Sequence, residues 1–149
     1  MNIRCIISFV LLVIIAFQPL AFAAKGDPVI PVEIRAKAYD PVGQALADQV
    51  TEAFKKDKRF LLSGNEEHKL VVHLSTMGAD SKDGNKISAY AVIIAFDLPG
   101  NNYQTLVANT VGICNMKEVP DDAKAIVYNT SKLIDGFPLL IEAVQKPGK

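Results

Sequence analysis

Tryptophan is absent from this 149-residue sequence, cysteine occurs only twice, and neither sign of charge is in excess. Each shortage excludes something. With 16 Lys+Arg against 16 Asp+Glu the formal net charge is zero, so no long-range field draws the chain toward nucleic acid or anionic lipid. Beyond residue 23 the only cysteine is Cys114. A chain trimmed there cannot close an intrachain disulfide, and its stability rests on packing. Cys114 ends an apolar run, the setting of a buried and inert thiol. Gly78, Gly84 and Gly100 stand singly in turn-like contexts, so no phosphate-cradling loop is present. Ser63, Ser75, Ser81, Ser88 and Ser131 lack the G-x-S-x-G setting of a hydrolase nucleophile.

Histidine is almost as scarce. His68 and His73 are separated by an odd number of positions, and on an extended strand such residues point to opposite faces. Together with Glu66 they make no closed metal site; a solvated His68 and a half-buried His73 are expected. Asp80, Asp83 and Asn85 around Gly84 lack the ligand alternation and terminal glutamate of a calcium loop. No catalytic residue, cofactor or metal is expected, and the chain is read as not an enzyme.

What the sequence does hold begins with a leader. Asn2 and Arg4 give a short basic start, residues 6–17 are almost continuously apolar, and Gln18-Pro19 breaks the run before Ala21-Phe22-Ala23. That order is the secretory signature, with an apolar core shorter than the ~20 residues of a membrane span. Cys5 precedes the apolar core, so it is badly placed for lipid attachment at the cleavage point. We read 1–23 as a signal peptide and 24–149 as a single domain with a loose C-terminal tail. Losing Arg4 leaves 15 basic against 16 acidic residues, a formal net charge of −1.

In 32–39, Val32, Ile34, Ala36 and Ala38 alternate with Glu33, Arg35 and Lys37, the pattern of a strand with one wet face. Asp40-Pro41 caps a helix whose Val42, Leu46, Val50 and Phe54 recur every four residues. The helix ends near Asp57-Lys58, and 60–62 is a short apolar passage before a turn. Strands follow over 69–77, 87–96 and 104–114, separated by polar loops at 78–84 and 97–102. In the last strand Thr105, Val107, Asn109, Val111 and Ile113 alternate with Leu106, Ala108, Thr110, Gly112 and Cys114. Val119-Pro120-Asp121-Asp122 opens a second helix with an apolar stripe of Ala123, Ile126, Val127, Thr130, Ile134 and Phe137. The patch Leu139-Leu140-Ile141 is left to cap the core or to cover the sheet. The expected fold is α+β, a two-layer sandwich in the order β-α-β-β-β-α, with a four-stranded, mainly antiparallel sheet and two helices on one face.

Lys55-Lys56-Asp57-Lys58-Arg59 is the one basic cluster; at a helix C-terminus it offsets the helix dipole and does not imply nucleic acid. Strand 87–96 is apolar on both sides, more than two helices can cover. Val71, His73, Met77, Tyr90, Val92, Ile94 and Phe96 are the expected interaction surface.

The helix run PVGQALADQVTEAFKKDKRFLLSG, leading into LVVHLSTMGAD and a hairpin, resembles small bacterial envelope domains of the TolB N-terminal type. Related curli-export and penicillin-binding-protein-activator domains share the pattern of a helix that ends lysine-rich and then phenylalanine, here Phe54 to Phe60. The chain departs from those lipoproteins in lacking a cysteine at the cleavage point, and from TolB in lacking a propeller. The resemblance implies an assembly or adaptor role in a bacterial envelope. The expected function is thus an exported, periplasmic or secreted interaction module without catalytic activity. Its partner would be another envelope protein or a second copy met through the sheet, with no nucleic acid and no stable membrane span after cleavage. The alternative is a small-molecule or lipid binder with a pocket between sheet and helices, where Ala45, Ala53, Ala89, Ala91 and Ala95 leave space. An enzyme of unknown class is third.

Overall fold

The computed structural model describes residues 29–64, 68–80, 86–97 and 104–145. The leader read over 1–23, the loop tips at 81–85 and 98–103, and the end of the tail lie outside the described residues.

Among the described residues five strands and three helices follow in the order β1 (Ile30–Lys37), α1 (Pro41–Lys56), β2 (Phe60–Leu62), β3 (Lys69–Asp80), β4 (Lys86–Asp97), β5 (Thr105–Asn115), α2 (Val119–Asp135) and α3 (Pro138–Gln145). The strands form one sheet in the order β2-β1-β3-β4-β5. β1 runs parallel to β2 and β3, while β3, β4 and β5 form an antiparallel meander. The fold is therefore α+β, but the sheet is mixed and has five strands where four were expected. The added strand is β2. Three residues are too few to display alternation, and Phe60–Leu62 becomes a strand only because α1 returns it beside β1. There Ile30 N donates to Arg59 O at 2.8 Å and Ser63 N donates to Val32 O at 2.9 Å.

Asp40 caps α1, its Oδ1 accepting from Gly43 N at 2.8 Å, and Pro41 occupies the first turn. Val42, Leu46, Val50 and Phe54 are buried against the sheet. The basic cluster that ends this helix has a structural task. Arg59 donates to Ser131 Oγ and pairs with Asp135 Oδ1, each at 2.6 Å, which ties the α1–β2 turn to α2. The Phe54 and Phe60 rings meet edge to face at 4.9 Å, so the lysine-rich, then phenylalanine pattern marks a chain reversal closed by an aromatic pair.

α2 buries Val119, Ala123, Ile126, Val127, Thr130 and Ile134; Phe137, expected on the same stripe, is exposed because the helix has ended. The C-terminal segment forms a third helix, α3, whose Val144 joins the same core as Ile30, Phe54 and Ile134. It therefore lies on the helical side and leaves the opposite face of the sheet uncovered by any helix among the described residues. One register shift matters. Ile94 pairs with Ala108 but Ala95 pairs with Leu106, so Val107 is the extra residue of a β-bulge. Beyond it the parity reverses, and Leu106 leaves the side shared by Ala108 and Thr110.

Candidate functional site

The seven residues expected to form one surface divide between the two faces of the sheet. Val92, Ile94 and Phe96 lie in the core under the helices, and Tyr90 packs half-buried against it. Val71, His73 and Met77 point the other way; Val71 is fully buried, His73 half-buried and Met77 exposed. Strand periodicity separates these two sets correctly but cannot say which side the helices take. The alanines meant to line an internal pocket are split as well: Ala89, Ala91 and Ala95 share the parity of Met77's partner positions and face away from the helices.

Cross-strand register maps the helix-free face in rows. Glu33, Val71, Ala95 and Leu106 make one row; Arg35, His73, Ile93 and Asn109 the next. Lys37, Ser75, Ala91 and Val111 follow, and then Met77, Ala89 and Ile113. All the charge in these rows is on β1, and none is on β4 or β5. Near Val71 the face is partly closed: Gln104 Oε1 lies 2.8 Å from His73 Nε2, and Val71 and Ala95 are buried. Farther along it is open, with Met77 69 %, Val111 79 % and Ile113 66 % exposed, while Ile93 and Leu106 stand exposed in the two nearer rows. A contiguous group of this kind marks an interaction surface.

Charge at the rim of this face is locked. Glu33 takes two bonds from Arg35, at 2.8 and 2.9 Å, and a third contact from Lys69 Nζ at 2.9 Å. Arg35 above all holds the Glu33 carboxyl at about 2, against the opposing effect of burial, with Lys69 adding to the pull. Lys69 also donates to Gly64 O at 2.8 Å, which satisfies a nearly buried ammonium. Lys37, two residues on from Arg35, has no carboxylate partner among the described residues.

The helix-side chemistry is structural. Asp40 Oδ2 accepts from Ser88 Oγ at 2.9 Å and Thr76 Oγ1 at 3.1 Å, binding the start of α1 to β3 and β4. Burial pushes this carboxyl up, but the bonds from Gly43, Ser88 and Thr76 outweigh it and leave it below its ordinary value. A Cβ on Gly43 would lie 1.9 Å from Thr76 Oγ1, so glycine is required for that approach. Gly112 similarly admits the Tyr90 ring, whose Oη would fall 2.4 Å from an added Cβ. Cys114 is buried on this side, and its thiol is pushed up to about 11 by burial first and then by the charges of Asp122, Asp40 and Glu118. The thiol stays protonated and is a poor nucleophile. His73 faces the opposite side of the sheet, so the two cannot form a catalytic pair. His68, expected in water, is 8 % exposed because it enters the sheet at the head of a central strand. Among the described residues no three His, Cys, Asp or Glu side chains group as a metal site, and no helix is long and apolar enough to cross a membrane.

No protein-family model and no curated protein sequence matches the chain. Among solved structures, a Xanthomonas campestris protein of the DUF330 family model is similar at 13 % identity, over 75 % of this chain and 90 % of its own, with a TM-score of 0.47. A minor lipoprotein from Acinetobacter baumannii is similar at 8 % identity, over 68 % of this chain and 92 % of its own, with a TM-score of 0.38. The rare lipoprotein B from Shewanella oneidensis is similar at 10 % identity, over 70 % of this chain and 97 % of its own, with a TM-score of 0.32. Similarity at this level assigns no family, and it does not extend the likeness to TolB or curli-export domains.

Proposed function

We propose that this chain is a non-catalytic interaction module of the bacterial envelope, exported by its leader, that docks another envelope protein or a second copy on the helix-free face of its sheet. One observation carries the reading: every helix among the described residues packs on one side, while Met77, Val111 and Ile113 stand exposed together on the other. The β5 edge adds to it. Thr105–Asn115 contains no charged residue and no proline, two of the devices that keep an edge strand from pairing, and beyond its bulge at Val107 the pairing from Ala108 to Asn115 is regular. Export is supported by the basic, apolar and small-residue order of residues 1–23. Cys114 and His73 lie on opposite faces of the sheet, so these two make no nucleophile–base pair, in keeping with a non-catalytic reading.

The test is the solution mass of the purified protein, alone and with purified envelope fractions, for wild type and for Val111→Lys. A stable complex or oligomer that Val111→Lys dissolves is the expected result. A monomer that forms no complex in either setting overturns the proposal.

A further inference from the structure

The helix-free face is not uniformly apolar; it changes character from one side to the other. A shallow cavity of about 650 Å³, lined by Ser75, Met77, Ala89, Ala91, Val111 and Ile113 among others, adjoins at Ser75 a second of about 590 Å³ that contains Arg35, Lys37 and His73. The row Lys37, Ser75, Ala91, Val111 runs across four strands. Its middle is low because serine and alanine are small. Met77 and Ile113 stand on one flank, and His73 and Ile93 on the other.

We propose that this trough holds one acyl chain with an anionic head, laid across the strands with the head at Lys37 and the tail over Ala91 toward Val111. The proposal rests on the reading of the open face as the binding surface and goes beyond it in giving that face a small ligand in place of a protein. Charge complementarity makes the choice. Lys37 is the cation at the β1 end without a carboxylate partner among the described residues. Glu33, the anion on the same strand, is already neutralised by Arg35 and Lys69. In the two rows of the trough β4 and β5 offer no charge to a polar ligand, only the side chains of Ala91, Ala89, Val111 and Ile113; Asp97, the charge β4 carries on this face, lies at the far end of the strand beyond Arg35. The span fits too. Three inter-strand spacings give about 14 Å, close to the depth of one leaflet of a ~30 Å hydrocarbon core. The balanced charge of the whole chain is no obstacle, since recognition of the head acts at contact range, well inside a Debye length. The occupant is a free fatty acid; an anionic lysolipid, whose single chain shares this chemistry, is an outcome of the test.

The experiment is calorimetric titration of the delipidated protein with dodecanoate below its micelle-forming concentration. Butanoate supplies the head alone, dodecanol the chain alone, and a dodecyl lysophosphatidic acid separates the two sources. Saturable one-to-one binding of dodecanoate, and none of butanoate, is expected. Lys37→Gln should weaken dodecanoate about fivefold, the upper end of what one solvent-exposed ion pair contributes, and leave dodecanol unchanged. Ala91→Phe fills the trough and should abolish both; Val111→Glu, at a position 79 % exposed, supplies a variant that cannot disturb the core. Tighter binding of the lysolipid than of dodecanoate would overturn the free fatty acid as the occupant. Absence of saturable binding by a monomeric wild type overturns the acyl ligand, as does binding that none of the three variants alters. A wild-type dimer that Ala91→Phe converts to a monomer, with no dodecanoate bound by either, also overturns it while leaving the interaction module standing.

Discussion

Replacing Asp40 by alanine tests how α1 is fixed to the sheet. The carboxylate serves three donors, Gly43 N at 2.8 Å, Ser88 Oγ at 2.9 Å and Thr76 Oγ1 at 3.1 Å. Loss of an N-cap costs about 1 kcal/mol. Ser88 and Thr76 are 0 % and 3 % exposed, so water cannot replace the lost acceptor, and a stranded buried hydroxyl costs about 1–3 kcal/mol. Ser88 retains a long contact with Ala89 O at 3.5 Å, which places its loss at the low end. The expected total is about 3 kcal/mol, a large share of a typical stability of 5–15 kcal/mol. Urea unfolding at neutral pH reads this directly: with m of about 1–3 kcal/mol per molar, the midpoint should fall by roughly 1–3 M. Asp40→Asn should lose less, since asparagine caps well and the hydroxyls can turn to accept. The sign with pH follows from the depressed carboxyl. Its contribution is complete above the unfolded value of about 3.9 and disappears as pH falls through the lower folded value. The gap between wild type and Asp40→Asn should therefore close in acid. A loss under 0.5 kcal/mol for Asp40→Ala would refute the reasoning, because it would mean the three bonds contribute nothing net.

Gly43→Ala should destabilise by about 1–3 kcal/mol although alanine is the better helix former, since its Cβ would meet Thr76 Cβ at 2.6 Å; a thermal midpoint at or above wild type would refute the close approach. Glu33→Gln should cost about 2–3 kcal/mol at pH 7 by leaving Lys69 nearly buried without its carboxylate. Glu33 titrates at about 2 in the fold, so its contribution is complete above the unfolded carboxyl range and is lost as pH falls toward 2; chemical denaturation at pH 7 and pH 2.5 checks the narrowing. Cys114, with its thiol at about 11 and no exposed surface, should resist alkylation at pH 8 in the native protein and react fully in denaturant; peptide mapping after iodoacetamide distinguishes the two.

Much of this protein was legible in its sequence, wherever a residue's neighbours along the chain are also its determinants. Asp40-Pro41 marked the start of α1, the four-residue recurrence from Val42 to Phe54 marked its buried stripe, and alternation in β1, β3, β4 and the second half of β5 separated the two sides of each strand. Periodicity works there because α-helix and strand geometry fix side-chain direction locally. Contacts between distant segments decided the rest. Phe60–Leu62 became a strand only beside β1, and the bulge at Val107, which turns Leu106 to the open side, depends on its pairing with Ile94 and Ala95. Asp40 gained Thr76 and Ser88 as partners 36 and 48 residues away. Above all, a strand apolar on both sides does not record which side the helices will cover. Tertiary packing placed Tyr90, Val92, Ile94 and Phe96 inside and left Met77, Ile93, Val111 and Ile113 facing out, because burial is a property of the assembled layers and not of any one strand.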